Sequence, residues 1–138
     1  MLKLLIPILD QKGALEAARH SAFLFAEHCV SEVEIVEVLD DLGHDRSAAF
    51  HSPGALRRIE KKAMKNALLQ TRAILDDAGV PYTWTRVCGP AERIIASYAQ
   101  KGQADIVVLD ASGLGFFRKW AVLARLRRLL PTPVTLIQ

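Results

Sequence analysis

The sequence predicts a single α/β domain with a doubly wound, mostly parallel, five-stranded sheet and helices on both faces. Two observations lead to this prediction. Apolar, β-branched segments alternate along the chain with segments of helical periodicity, in the order β-α-β-α-β-α-β-α-β. The chain has 138 residues, of which 51% are hydrophobic, and it shows no repeat, linker or low-complexity stretch. We therefore treat residues 1–138 as one domain.

Five segments have the composition of strands. They are residues 2–9, 33–39, 81–88, 105–109 and 133–137. Most of them are short apolar runs, as expected for strands buried on both faces. The third segment instead alternates like a half-exposed strand, with Tyr82, Trp84 and Arg86 on one face.

Four segments between these strands are predicted helices. They cover residues 13–29, residues 55–77, a stretch that opens at residues 89–92, and residues 117–130. Ala78 and Gly79 follow the second helix as a C-terminal signal. Residues 40–54 contain Gly, Pro, Ser and His and are predicted to form a polar loop of unassigned role, since their histidines match no standard metal spacing.

The charge and the cysteines restrict the class of protein. Cys29 and Cys88 are the only cysteines, and no apolar run approaches the ~20 residues of a membrane span. Without a leader-like N-terminus, these features indicate a cytoplasmic protein with reduced thiols and no membrane contact. We expect both cysteines to be small, buried or half-buried side chains and not nucleophiles.

The net charge is +3, and basic residues concentrate in residues 57–72 and 118–128. We interpret both stretches as solvated helix faces, and we expect no tight nucleic-acid binding because the total charge is modest. A module that binds a phosphate-bearing ligand remains an alternative.

Ligands of doubly wound sheets bind beyond the carboxyl ends of the strands, where the strand order reverses. The corresponding segments are residues 9–13 and 109–115, which follow the first and fourth strands. No Ser-His-Asp set, acid pair or Walker-type loop can be assembled, so no catalytic residue is predicted.

Several segments resemble the universal stress proteins, in the right order and over nearly the whole chain. Residues 6–17 are similar to the family's V-P-V-D-G-S-x-x-S-L-R-A, and residues 89–95 to its G-x-P-A-E-x-I. Residues 105–110 are similar to D-L-I-V-M-G, and residues 131–137 to P-x-P-V-x-V-V. The resemblance implies the adenine nucleotide alpha hydrolase-like fold and a role in the stress response.

Nucleotide-binding members of that family carry G-x-x-G-x9-G-(S/T) after the fourth strand. In this sequence the first glycine falls on Asp110, the second on Gly113, and the final pair on Trp120 and Ala121 after a shorter interval. Only Gly113 matches. It forms a glycine-rich turn with Gly115, which could hold a small anion or be a plain turn into the last helix.

The family's aspartate on the first strand falls on Leu9, with Asp10 one position later. One step along a strand reverses the side-chain direction, although a one-residue slip in the alignment would restore the aspartate. Asp10, Asp110, Gly113 and Gly115 are therefore the candidate cofactor-binding residues of a degenerate cleft.

The sequence thus indicates a universal stress protein-like homodimer, without catalysis, cofactor or metal, that acts on an unidentified protein partner. We expect the last strand to pair across a two-fold axis, and Thr135→Pro to split the dimer. Three alternatives stay open. One is a divergent family member that binds ATP, and another is a small α/β enzyme using Cys88 or an aspartate. The third is the module that binds a phosphate-bearing ligand, RNA or phospholipid, through its two basic helices.

Overall fold

The computed structural model describes residues 1–9, 14–39, 66–110 and 116–137. Within them, strands and helices alternate in the predicted order. The strands are β1 (Leu2–Ile8), β2 (Val30–Leu39), β3 (Tyr82–Cys88), β4 (Ile106–Asp110) and β5 (Val134–Ile137). The helices are α1 (Leu15–Ala26), α2 (66–77), α3 (Ala91–Lys101) and α4 (Phe116–Leu129). The predicted loop 40–54 and the first part of the predicted helix 55–77 lie outside the described residues.

All the strands form one parallel sheet in the order β3-β2-β1-β4-β5. The doubly wound α/β architecture predicted from the sequence is therefore confirmed. β2 begins at Val30, earlier than predicted, because Val30 already pairs with Leu2 across a register irregularity before Lys3. The polar residues Ser31 and Glu32 hide this extension in the sequence.

Two apolar cores cover the two faces of the sheet. Leu4, Ile6 and Ile8 of β1 contact the core beneath α1 and α2, whereas Leu5 belongs to the core beneath α3 and α4. Because both faces of β1 are covered, its residues 4–8 are all buried. The central strand β1 thus contacts both helical layers of the domain.

The end of α2 confirms the predicted signal at Gly79. Gly79 adopts φ +70°, in the left-handed region that glycine occupies without strain. Its N–H donates to the carbonyl of Asp76 at 3.1 Å, and the N–H of Val80 donates to the carbonyl of Leu75 at 3.0 Å. These bonds satisfy carbonyls that the helix end would leave open, and they turn the chain into β3.

Helical spacing in α4 predicts a core stripe of Trp120, Leu123, Leu126 and Leu130. Leu126 and Leu130 are buried as expected, and Leu123 is half-buried. Trp120, however, is 52% exposed, so its assignment to the core is wrong. The described helices include none that is long and apolar enough to cross a membrane.

Candidate functional site

The cleft lies at the carboxyl ends of β1 and β4, the two strands from which the chain winds in opposite directions. β1 pairs with β2 along its whole length. Among the described residues, β1 pairs with β4 only at Leu4 with Ile106 and at Leu5 with Val107. The ladder between β1 and β4 thus does not continue to their carboxyl ends, and ligands bind beyond these ends in this architecture.

Asp110, the last residue of β4, reaches across this cleft to the N-terminus of α1. Its Oδ2 accepts hydrogen bonds from the backbone N–H groups of Glu16 at 3.1 Å and Ala17 at 3.2 Å. Such N–H groups have no acceptor within their own helix. Ala14, the residue before the helix, provides no side-chain acceptor. Asp110 therefore caps the N-terminus of α1, although it lies far from this helix in the sequence.

A second internal group serves the same helix end. The N–H of Ala14 donates to Oγ1 of Thr71 at 3.4 Å, and the Thr71 hydroxyl donates to the carbonyl of Ala67 in α2 at 2.8 Å. Thr71 is fully buried, and Asp110 is 9% exposed. The positive end of the α1 dipole is thus already compensated by the chain's own carboxylate and hydroxyl.

The electrostatics follow from this arrangement. A helix N-terminus without a capping group attracts phosphate, because its N–H groups and its dipole both favour negative charge. At α1 those N–H groups are occupied by Asp110. A phosphate brought to this part of the cleft would meet a carboxylate in a site of reduced dielectric, where repulsion between like charges is strong.

The structure places only some of the predicted site residues. Asp110 ends β4, and its carboxylate accepts hydrogen bonds from the N-terminus of α1. A cofactor-binding role for Asp110 stays a prediction. Leu9 is half-buried against the core of α3 and α4, so an apolar side chain stands at the position aligned with the family's aspartate. Asp10, Gly113 and Gly115 lie outside the described residues, and their roles stay predictions.

Trp120 lines an open groove at the β5 side of the sheet. The groove has a volume of about 610 Å³ and runs between α4 and β5. Its lining includes Leu123, Leu136 and Arg127 beside the exposed indole. The groove lies next to the edge strand β5, and its lining mixes apolar side chains with polar ones such as Arg127 and Thr132.

Sequence reasoning missed a buried charge in β2. Glu37 is fully buried, and neither of its carboxylate oxygens has a partner in hydrogen-bond geometry. Its Oε2 lies 3.3 Å from Nε of Arg86, so the contact is an ion pair. The strand register places Glu37 between Ile8 of β1 and Arg86 of β3. The sequence feature that could have indicated this ion pair is an acid within the apolar strand β2, together with an arginine on the neighbouring strand β3.

Both cysteines are exposed free thiols, so the prediction that they are buried or half-buried is wrong. Cys29 follows the turn that ends α1, and Cys88 ends the edge strand β3, where little packs over either. No three His, Cys, Asp or Glu residues in the described ranges are grouped to hold a metal ion. The absence of nucleophilic reactivity stays a prediction.

The two basic segments are described only in part. In the first segment, residues 57–72, the basic residue within the described part is Arg72, which stacks on aromatic side chains of β3. From residues 118–128, Arg125 pairs with Glu92 of α3 at 3.3 Å, and Arg127 and Arg128 are exposed. Weak nucleic-acid binding remains a prediction.

The model of the universal stress protein family matches residues 1–138. The chain belongs to the universal stress protein family. The resemblance that the sequence motifs indicated is thereby confirmed, whereas membership of the branch without a nucleotide motif is not. No curated protein matches the chain closely enough to count as a relative.

Solved structures show the same fold. The hypothetical protein MJ0577 is 20% identical, with a TM-score of 0.74, and the match covers 98% of this chain and 94% of that one. UspA from Lactobacillus plantarum is 22% identical, with a TM-score of 0.69 and coverage of 99% and 97%. A universal stress protein from Archaeoglobus fulgidus in complex with dAMP is 16% identical, with a TM-score of 0.66 and coverage of 100% and 98%.

Proposed function

We propose that this universal stress protein is a cytoplasmic homodimer that acts in the stress response through protein contacts, without binding ATP and without catalysis. One observation carries the proposal. The carboxylate of Asp110, at the position aligned with the first glycine of the family's nucleotide motif, occupies the N-terminus of α1. A site that holds a nucleotide needs donors and small residues at such positions, and this one presents an acid.

The charge of Asp110 cannot easily turn away from the cleft. Two N–H groups hold one of its oxygens, and the side chain is almost fully buried. Displacing it would expose the first N–H groups of α1 and cost on the order of 1 kcal/mol or more. Leu9 adds no polar group on the β1 side. Both features oppose a bound triphosphate.

The dimer is proposed to form through β5, the last strand of the sheet. The N–H of Val107 donates to the carbonyl of Pro133 at 2.9 Å, and the register then directs the backbone of Thr135 towards β4. The backbone groups of Val134 and Leu136 consequently face outwards. Pairing these groups across a two-fold axis would satisfy both edges and bring the groove beside Trp120 close to its copy.

This geometry corrects the design of the dimer test. Thr135→Pro would remove a hydrogen bond to β4 within one chain, so it would disturb the fold itself. Leu136→Pro removes an outward N–H instead. Light scattering should show a dimeric wild type, a monomeric Leu136→Pro protein, and a Leu136→Ala control that keeps more dimer than the proline variant. A monomeric wild type at micromolar concentration, or a dimeric proline variant, would reject this interface.

A second candidate, a divergent adenine-nucleotide binder, is favoured by the solved neighbours. One universal stress protein with 15% identity and a TM-score of 0.63 was crystallised with cAMP, over 98% of this chain and 97% of that one. The two candidates are separated by denaturing the purified protein and identifying the released small molecules by mass spectrometry. We expect no stoichiometric nucleotide. Recovery of an adenine nucleotide would favour the divergent adenine-nucleotide binder.

A further inference from the structure

The outer edge of β3 presents backbone groups that the sheet does not use. The N–H of Val33 donates to the carbonyl of Pro81 at 3.0 Å, and the N–H of Gly89 donates to the carbonyl of Leu39 at 3.0 Å. With the continuous register between these points, the backbone of residues 83, 85 and 87 faces β2. The N–H and C=O groups of Tyr82, Trp84, Arg86 and Cys88 therefore point away from the sheet.

Within the described residues, this edge carries few of the features that usually block an added strand, although Arg86 is a charged residue on it. β3 is 7 residues long and contains no proline, no lysine and no acid. Thr83, Trp84 and Arg86 are exposed, and Trp84 reaches 43% exposure. Proteins commonly shorten, charge or cover such an edge, because a bare edge is a template for pairing with another chain. A long edge left in this state is suited to binding a strand.

A cation is held above the same edge. The guanidinium carbon of Arg72, on α2, lies 5.4 Å from the ring centroid of Trp84 and 5.8 Å from that of Tyr82. Its Nε also donates to the Tyr82 hydroxyl at 3.1 Å. Stacking and the hydrogen bond fix the half-buried guanidinium against the side chains of both aromatic residues of this edge strand.

The charge of Arg72 points to an acidic occupant. Among the described residues, no carboxylate pairs with Arg72, whereas Arg86 already has Glu37. A second copy of the chain would not supply the missing acid through either sheet edge, since β3 and β5 both lack Asp and Glu. Two β3 edges brought together would also bring their arginines together. Neither edge strand of a second copy thus complements Arg72, whereas an acidic segment of a different chain would.

We propose that the outer edge of β3 binds an extended acidic segment of a partner protein as an additional strand. A residue paired with Tyr82 or Trp84 would turn its side chain to the same face of the sheet, next to Arg72. Main-chain hydrogen bonds would supply affinity, and the carboxylate at that position would supply selectivity. This inference deepens the proposed function, because it rests on action through protein contacts and names the surface and the partner chemistry.

Fluorescence anisotropy with synthetic peptides tests the site. The probe is a labelled peptide of the same length as β3, 7 residues, that alternates valine or threonine with glutamate. Its control carries lysine in place of glutamate. We expect the acidic peptide to bind at least about tenfold more tightly than the lysine peptide at low salt. Arg72→Gln should abolish this preference, and Trp84→Ala should weaken binding of the acidic peptide.

Trp84→Pro adds a test of the backbone contribution. Its missing N–H points outwards, so pairing with β2 is retained, and binding should fall below that of Trp84→Ala. Circular dichroism checks that each variant folds. If Trp84→Pro does not fold, peptide binding by Trp84→Ala and Arg72→Gln alone tests the proposal. Equal binding of both peptides, or an acidic preference that survives Arg72→Gln, would overturn the proposal.

Other occupants give different results. If Trp84→Pro lowers the mass of the wild-type assembly in light scattering, the edge binds a second copy and the proposal is wrong. If single-stranded RNA binds the edge and displaces the acidic peptide, the partner chemistry is wrong. The proposed function fails separately, through recovered nucleotide or a wild-type monomer, and neither outcome depends on the β3 peptides.

Discussion

Two buried carboxylates, Asp110 on β4 and Glu37 on β2, lie near the carboxyl end of the sheet. Different kinds of groups contact them. Asp110 accepts two backbone hydrogen bonds at the positive end of a helix. Glu37 is more deeply buried, yet its charged contact within the described residues is one ion pair at 3.3 Å with the partly exposed Arg86. Backbone donors and a dipole stabilise the first charge, and a single side chain stabilises the second.

The difference indicates what each charge does for the protein. A carboxylate held by backbone N–H groups fixes the position of a helix relative to the strand that carries it. A buried carboxylate with one partly exposed partner adds little net stability, but loss of that partner is costly, because desolvation is no longer compensated. We therefore expect substitutions around Glu37 to act on folding, and substitutions of Asp110 to act on both folding and the cleft.

The largest expected effect comes from removing the partner of Glu37. Arg86→Met leaves a buried charge uncompensated and should lower the free energy of unfolding by about 3 kcal/mol, measured by urea denaturation. The double variant Glu37→Leu with Arg86→Met is the matched control. It removes both charges and should recover most of the lost stability. A single variant as stable as wild type would show that the ion pair does not balance Glu37.

A smaller effect is expected at the helix cap. Asp110→Ala removes the acceptor of the Glu16 and Ala17 N–H groups and should lower the free energy of unfolding by about 1 to 2 kcal/mol. Asp110→Asn keeps an acceptor oxygen and should lose less, about 0.5 kcal/mol. If both substitutions cost the same, the negative charge, and not the hydrogen bonds, would account for the stabilisation.

The smallest effect is expected at Thr71, which accepts the longer hydrogen bond from Ala14. Thr71→Val removes the hydroxyl with little change of shape and should cost about 0.5 to 1 kcal/mol. Thr71→Ser retains the hydroxyl and serves as the control, with denaturation followed by circular dichroism. A valine variant more damaging than Asp110→Ala would place the main cap of α1 at Thr71 and reverse the expected order of the two effects.

The sequence predicts the architecture well because the signals are local. Apolar runs such as residues 105–109 and the signal at Gly79 depend on neighbouring residues alone, and the structure confirms both. The contacts of the cleft depend on tertiary geometry. Asp110 meets α1 across 94 residues, and Glu37 meets Arg86 only through the register of two strands. Neither contact can be predicted from the residues adjacent to it in the sequence.

Exposure is the other feature that the sequence does not predict. Trp120 follows the spacing of a core residue, yet half of its side chain is exposed, because the sheet ends at β5 and α4 lies at that margin. Cys88 is exposed for the same reason at the opposite edge. Periodicity identifies one face of an element, whereas the edge of a sheet is set by strand order.

Calorimetric titration of the wild-type protein with ATP and magnesium tests the central claim most directly. The claim is that the carboxylate of Asp110, held at the N-terminus of α1, leaves this cleft unsuited to a triphosphate. We expect no saturable heat in the low micromolar range. A dissociation constant at or below about 10 μM, roughly −7 kcal/mol, would contradict it and show that the cleft binds nucleotide despite the acid.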